Sequence, residues 1–361
     1  MKEIKVNLKE NTYRIIIGAG ILDNLGLYLK QLNIGTDAYI ITNSSLQALF
    51  NKNINKSLIK SGLTFYYKLV PDSEKSKSFS VAVRILTDLS AYGRNKRLFI
   101  LALGGGVIGD LAGFVASIYR RGIPYVQIPT SLLAQVDSSI GGKTAVDLSR
   151  GKNLVGSFYQ PKLVLSDVGL LRTLPLRQLK SALAEVIKYA VIADRELFIF
   201  LENNLSGILA GDKTCLEYIV SRCAGIKAGI VSRDEKDKKG IRVILNFGHT
   251  LGHAIEAAGN FKVYNHGEAV GLGMLAACGI SRRMSLLNEN SCQRIEDLIK
   301  RAGIPMRIKG LDTKKIIAAQ YHDKKFYGAV NKFVLLKGIG RSVVMNNVPL
   351  EIIKEVLRER V

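Results

Sequence analysis

The chain has 361 residues, enough for two domains. Hydrophobic residues make up 47% and charged residues 23%, and no apolar run approaches the roughly 18 residues of a membrane span, so a folded protein without a transmembrane helix is expected. The net charge of +22 raises nucleic-acid binding, but Lys and Arg are scattered and the densest cluster, 234–239 (DEKDKK), is half acidic; small anionic ligands fit better, and no nucleic-acid partner is expected.

The N-terminal MKEIKVNLKE has no apolar signal core. Cys215, Cys223, Cys278 and Cys292 form no CxxC pair. Both features fit a cytoplasmic protein with reduced thiols. Residues 4–8 and 13–17 read as strands, paired as a hairpin through Glu10 and Asn11. AYIIT (38–42) has the character of a buried strand and leads into a helical stretch to about residue 58. Residues 65–70 form another strand pattern, and 79–92 have helical periodicity. LFILAL (98–103) is unbroken apolar sequence, as a central strand requires. This alternation predicts a mostly parallel sheet flanked by helices.

At Gly104 the strand runs into GGGVIGD, and LAGFVAS resumes a helical pattern. Gly104, Gly106 and Gly109 fit the spacing of a dinucleotide turn, where bare backbone approaches a pyrophosphate at a helix N-terminus. The acidic residue usual about 20 positions further on is missing; Arg120 and Arg121 occupy that region. A tight, close-packed turn is the plain alternative. YVQIPT (125–130) reads as a short strand closing on a turn. The next segment gathers Asp137, Lys143 and Asp147 around a Gly-Gly pair. GKNLVGSFYQP (151–161) reads as a Gly-bracketed loop whose Lys152 and Asn153 offer a cation and an amide to phosphate or carboxylate. A solvated lysine beside a turn asparagine explains it equally well.

After Thr173, Leu174 and Pro175 the pattern changes to long helical periods, through 178–301. The expected division is a Rossmann-like domain over 1–177 and a helical domain over 178–361. In AEVIK, Glu185 and Lys188 share a helix face, and a carboxylate set among Ala, Val and Ile needs a cation or a metal. Three of the four histidines, His249, His253 and His266, fall within 242–268. His249 and His253 share a helix face at i and i+4. Imidazoles clustered this way, with Glu185 as a further candidate, suit a metal site with an open position. The tail adds Asp323-Lys324-Lys325, an apolar run at 332–336 and a closing helix over 350–358.

Taken together, GGGVIGDLAGF, RRGIPYVQIPTSLLAQVDSSIGGKTAVD, GKNLVGSFYQP, LRTLP, AEVIKYA, LNFGHTLGHAIE, YNHGEAV and HDKK resemble the 3-dehydroquinate synthases of the sugar phosphate cyclase superfamily. The resemblance implies an N-terminal Rossmann-like domain, a C-terminal helical domain and an active site in the cleft between. It implies zinc or cobalt on Glu185, His249 and His266, and it turns His253 toward the substrate phosphate instead of the metal. The substrate implied is 3-deoxy-D-arabino-heptulosonate 7-phosphate. Lys152, Asn153, Asn246, His253 and one of Lys324 or Lys325 would hold its phosphate end, with Arg121 reaching from a neighbouring subunit of a homodimer. Lys188, Lys227 and Arg242 would hold the carboxylate and hydroxyl side, and Asp137 would sit near the reacting hydroxyls.

NAD is the implied cofactor. It would lie along Gly104, Gly105 and Gly106, with Asp110, Thr130, Ser131, Lys143 and Thr173 around it. Glu74 and Lys77 would meet the ribose and adenine. The chain departs from the family in two places: Ser73 replaces a glycine, and Asn43 stands where an aspartate commonly binds the ribose. The implied reaction is transient oxidation, phosphate elimination, reduction and intramolecular aldol closure to 3-dehydroquinate. Rival activities on the same fold are a 2-deoxy-scyllo-inosose synthase or a metal-dependent polyol dehydrogenase.

Overall fold

A computed structural model describes residues 1–148, 151–321 and 331–361, so Lys324 and Lys325 lie outside the described residues. Two compact units emerge: Met1–Leu174 with Leu216–Lys236, and Pro175–Cys215 with Asp237–Val361.

The first unit opens with β1 (Lys2–Val6) and β2 (Tyr13–Gly18), antiparallel as the hairpin pattern predicts. Then come α1 (Leu25–Leu32), β3 (Asp37–Thr42), α2 (Ser44–Lys60), β4 (Thr64–Leu69), α3 (Phe79–Tyr92) and β5 (Leu98–Gly104). After these follow α4 (Gly106–Ile118), β6 (Tyr125–Pro129), β7 (Lys143–Leu148), β8 (Gly151–Phe158) and β9 (Leu163–Asp167). Seven strands make one sheet in the order β1-β2-β9-β6-β5-β3-β4, parallel except for β1. Every residue of β3, β5, β6 and β9 is buried, because helices cover both faces. On one face Val81, Ile85 and Leu89 of α3 meet Tyr39 and Ile41. On the other, Ile54 and Leu58 of α2 meet Ala38 and Ile40. The chain therefore crosses from one side of β3 to the other between β4 and β5. A reversal of this kind, at the carboxyl ends of β3 and β5, is the usual ligand position in such sheets.

Residues 151–161 are not the loop the sequence suggested. Gly151–Phe158 is β8, paired antiparallel with β7 in a separate two-stranded ribbon. Most of β8 is exposed or half-buried, so burial imposes no strict alternation on its sequence.

The second unit begins with α5 (Leu176–Ala193) and α6 (Arg195–Leu209). α7 (Lys213–Arg233) follows, then α8 (His249–Ala258), α9 (His266–Arg283), α10 (Glu289–Arg301) and α11 (Thr313–Tyr321). β10 (Lys332–Gly338) and β11 (Arg341–Asn346) add an antiparallel ribbon before α12 (Leu350–Arg360). The 178–361 division needs one correction: from Leu216 onward α7 belongs to the first unit. There Glu217 pairs with the amino terminus at 3.1 Å, and Ser232 accepts a hydrogen bond from the Asn7 backbone at 3.0 Å. Periodicity identifies a helix but not the sheet it packs on. No helix among the described residues is long and apolar enough to cross a membrane.

Candidate metal and nucleotide sites

In the second unit, three helices converge on one carboxylate. Glu185 lies on the fully buried stretch of α5 and is 1% exposed. α9 starts with a capping box, in which Asn265 accepts from the Glu268 N–H and the Glu268 carboxylate accepts from the Asn265 N–H. A Cβ on Gly267 would stand 1.9 Å from the Ser181 carbonyl oxygen, so only glycine lets the start of α9 press against α5. His266 is thereby set beside Glu185. α8 starts from Gly248 at φ +76°, where a Cβ would also strike the Met274 side chain at 2.5 Å. This places His249 at the first position of α8.

His249 Nε2 lies 3.4 Å and His266 Nε2 3.6 Å from Glu185 Oε1. The buried Lys188 ammonium touches Oε2. Neither Glu185 oxygen makes a hydrogen bond among the described residues, although both are buried. Lys188 supplies a cation at Oε2, while the buried Oε1 faces the two imidazole nitrogens, the place where a metal ion would complete it. Candidate ligand atoms of Glu185, His249 and His266 all lie within 4.8 Å of one another, as a single ion requires. Burial raises the Glu185 carboxyl, but Lys188, His249 and His266 outweigh it and hold it well below the usual range. Burial drives His249 well below its ordinary value, so its imidazole is neutral, the form that binds metal. His266 behaves oppositely: against burial, the neighbouring Glu185 and Glu256 carboxylates raise it to about 10. The donor set fits zinc or cobalt.

His253 lies on the same face of α8 as His249, with ring centroids 5.3 Å apart. Its ligand atoms group with those of Glu256 and His266, not with Glu185. Arg242 is buried and Asn246 half-buried, both on the 3-10 turn Ile241–Asn246. Glu256 was missed by sequence reasoning. It lies seven residues after His249 and three after His253, so the helical spacing could have found it.

In the first unit, α4 starts at Gly106 after Gly105, with no side-chain cap. Its leading N–H groups are therefore open to an anion. A Cβ on Gly105 would meet nothing closer than Ser131 Oγ at 3.5 Å, so the turn leaves room for a ligand. Thr130 bonds through its N–H to the Gly104 carbonyl, which aligns the turn after β6 beside the glycine turn. Lys77 is buried and touches both the Asp110 carboxylate and the Asn153 amide oxygen. Burial pushes Asp110 up to about 6 against the pull of Lys77. Lys152 is 3.7 Å from Glu74, so the ribbon pair Lys152 and Asn153 stands with Glu74 and Lys77. Asp137, on a π-helical turn, accepts from Lys227 Nζ at 2.8 Å. Lys143 opens β7, while Thr173 ends a 3-10 turn and donates to the Leu170 carbonyl. Arg121 lies in the tight turn after α4 at φ +65°.

Both departures from the family pattern have local causes. Ser73 is extended, at φ −157°, so no glycine is needed, and its hydroxyl accepts from the Lys75 N–H. Asn43 caps α2 by accepting from the Leu46 N–H at 2.8 Å.

Solved structures carry this architecture. One of 2-deoxy-scyllo-inosose synthase, complexed with carbaglucose-6-phosphate, NAD+ and Co2+, is 28% identical and covers 100% of both chains, with a TM-score of 0.89. One of 2-epi-5-epi-valiolone synthase from Streptomyces hygroscopicus subsp. jinggangensis, with NAD+ and Zn2+ bound, is 26% identical over 97% of each chain, with a TM-score of 0.87. The fold is that of the sugar phosphate cyclases. Within that class the sequence decides the family. Residues 67–181 match the model for the 3-dehydroquinate synthase N-terminal part, and 182–326 match the C-terminal part. A 3-dehydroquinate synthase of Pelotomaculum thermopropionicum is 45% identical over 99% of this chain and 96% of its own. The chain belongs to the 3-dehydroquinate synthase family.

Proposed function

We propose that this chain converts 3-deoxy-D-arabino-heptulosonate 7-phosphate to 3-dehydroquinate and inorganic phosphate, as an NAD- and metal-dependent lyase. One observation carries this within the family: Glu185, buried with no hydrogen bond to its oxygens among the described residues, faces two imidazole Nε2 atoms. Glu185, His249 and His266 would hold zinc or cobalt, which supplies a Lewis acid for adjacent substrate hydroxyls when bound. Gly104–Gly106 with Asp110, Thr130, Ser131, Lys143, Thr173, Glu74, Lys77 and Asn43 would hold NAD, which supplies a temporary hydride acceptor.

The rest is done by charges fixed in advance. Lys188, Lys227 and Arg242 are 2%, 6% and 4% exposed, so their charges act with little screening on a carboxylate or hydroxyl. Glu185 and Asp137 already hold two of these ammonium groups, which lowers the ordering needed when substrate arrives. In the second unit, Asn246 and His253 would take the phosphate. In the first, Lys152 and Asn153 would offer a cation and an amide to an anion, and Arg121 would serve a partner subunit of a homodimer.

The test is phosphate release from the heptulosonate phosphate with NAD and zinc present. One phosphate per substrate with no net NADH is expected. Steady NADH accumulation on a polyol, with no phosphate released, would refute the proposal. Phosphate release from glucose 6-phosphate instead would shift the activity to the 2-deoxy-scyllo-inosose type.

A further inference from the structure

The two candidate imidazole ligands are held from behind in different ways. His249 Nδ1 lies 3.1 Å from the Phe247 carbonyl oxygen. A carbonyl only accepts, so that nitrogen carries the proton and Nε2 keeps its lone pair toward Glu185. His266 Nδ1 lies 3.2 Å from Glu256 Oε2, while its Nε2 faces Glu185 Oε1 at 3.6 Å. An ionised carboxylate also only accepts, so His266 Nδ1 is the donor there. The His266 ring thus spans two carboxylates. Glu185 has buried oxygens without a hydrogen bond among the described residues. Glu256 comes from the other side, on α8, and its side chain is 9% exposed.

We propose that Glu256 is a positioning residue: it fixes the orientation and tautomer of His266 and strengthens its Nε2 as a donor to the metal. The inference rests on the metal site proposed above. Backbone alone does not replace this function, because His266 opens α9 and its side chain is 37% exposed, whereas His249 lies deeper, at 11%. The more exposed imidazole is held by the charged acceptor, and the deeper one by a neutral carbonyl. Hydrogen bonds to charged groups are the stronger kind. Carboxylates placed behind ligating histidines have this effect on metal affinity, and losing one typically costs 10- to 100-fold.

A competing assignment uses the same atoms. His253, Glu256 and His266 also bring candidate ligand atoms within 4.8 Å of one another and could hold an ion of their own. Stoichiometry separates the two. The experiment titrates metal-free protein with Co2+ and follows the visible d–d absorption, for wild type and for E256Q. Glutamine keeps the size and one acceptor but removes the charge. Wild type should bind one Co2+ per chain, and E256Q should bind one with affinity lowered by about 10- to 100-fold. The metal-free variant loses the Glu256–His266 charge pair and should melt somewhat lower than wild type, but with a cooperative transition, so the lowered Co2+ affinity is read on folded protein. Equal Co2+ affinity in the two proteins would overturn the inference. So would two ions bound by wild type with the second lost in E256Q, because Glu256 would then be a ligand. A wild-type protein that takes up no Co2+ would overturn the metal site itself and this inference with it. Should E256Q fail to fold, zinc-loaded wild type labelled with 15N-histidine still decides. An exchange-protected, downfield Nδ1–H of His266 is expected, and its absence would overturn the inference.

Discussion

The pairing of Glu185 with Lys188 makes a stability prediction that separates architecture from metal binding. Lys188 is 2% exposed, and its ammonium touches the Glu185 carboxylate. In E185Q that ammonium stays buried but loses the negative charge. The Tyr189 ring, 4.8 Å away, offsets only part of the loss. Removing one member of a buried ion pair costs about 3–5 kcal/mol, whereas replacing both members with apolar groups is close to neutral. Two unit charges about 4 Å apart at an effective dielectric of 20 interact by about 4 kcal/mol, the same size. The metal-free E185Q protein should therefore melt lower by on the order of 10 °C for a unit of this size. E185Q/K188M should recover most of that loss. Neither variant should retain metal at neutral pH, because both lack the carboxylate ligand. The assays are thermal melts of metal-free protein and metal content after dialysis against zinc. A single variant as stable as wild type would refute the ion-pair account. A double variant carrying a full equivalent of zinc would refute Glu185 as a ligand.

Other outcomes follow from the same geometry. His266 is raised to about 10 without metal, so it carries a proton at neutral pH that an incoming ion must displace. Metal affinity should rise about tenfold per pH unit between about pH 7 and 9, with close to one proton released per ion, read by calorimetry in two buffers of different ionisation enthalpy. G267A forces a Cβ to within 1.9 Å of the Ser181 carbonyl and must separate α9 from α5. Overpacking of this kind costs about 1–3 kcal/mol or more, and metal titration should show weaker binding together with a lower melt. K77M removes the cation that lowers Asp110, so that carboxyl should titrate above about 6 and NAD binding should weaken, measured by NMR titration and calorimetry. S73G should be nearly silent, costing a few tenths of a kcal/mol in a denaturant melt, because the position is extended and loses only its cap.

The parallel sheet was legible in the sequence because burial on both faces removes alternation: LFILAL became β5 with every residue buried. The same logic hid β8, where exposure leaves the choice of residue loose. It hid the allegiance of α7 as well, since a helical period says which face is apolar but not whose core receives it.

The metal site shows where that limit falls. Helical spacing correctly put His249 and His253 on one face, and their rings are neighbours. Sharing a face does not make two side chains share an ion. Where an ion could sit is set by the distance between helices, and periodicity carries no information about that distance. Glu185, His249 and His266 come from α5, α8 and α9, and what brings the third to the first is the absence of a side chain at Gly267. A glycine directly after a histidine at a helix start is therefore the local trace of a close helix crossing. In HGE the glycine beside His266 is what lets the start of α9 press against α5, and it brings His266 Nε2 to 3.6 Å from the buried Glu185 carboxylate, which His249 reaches from α8 at 3.4 Å.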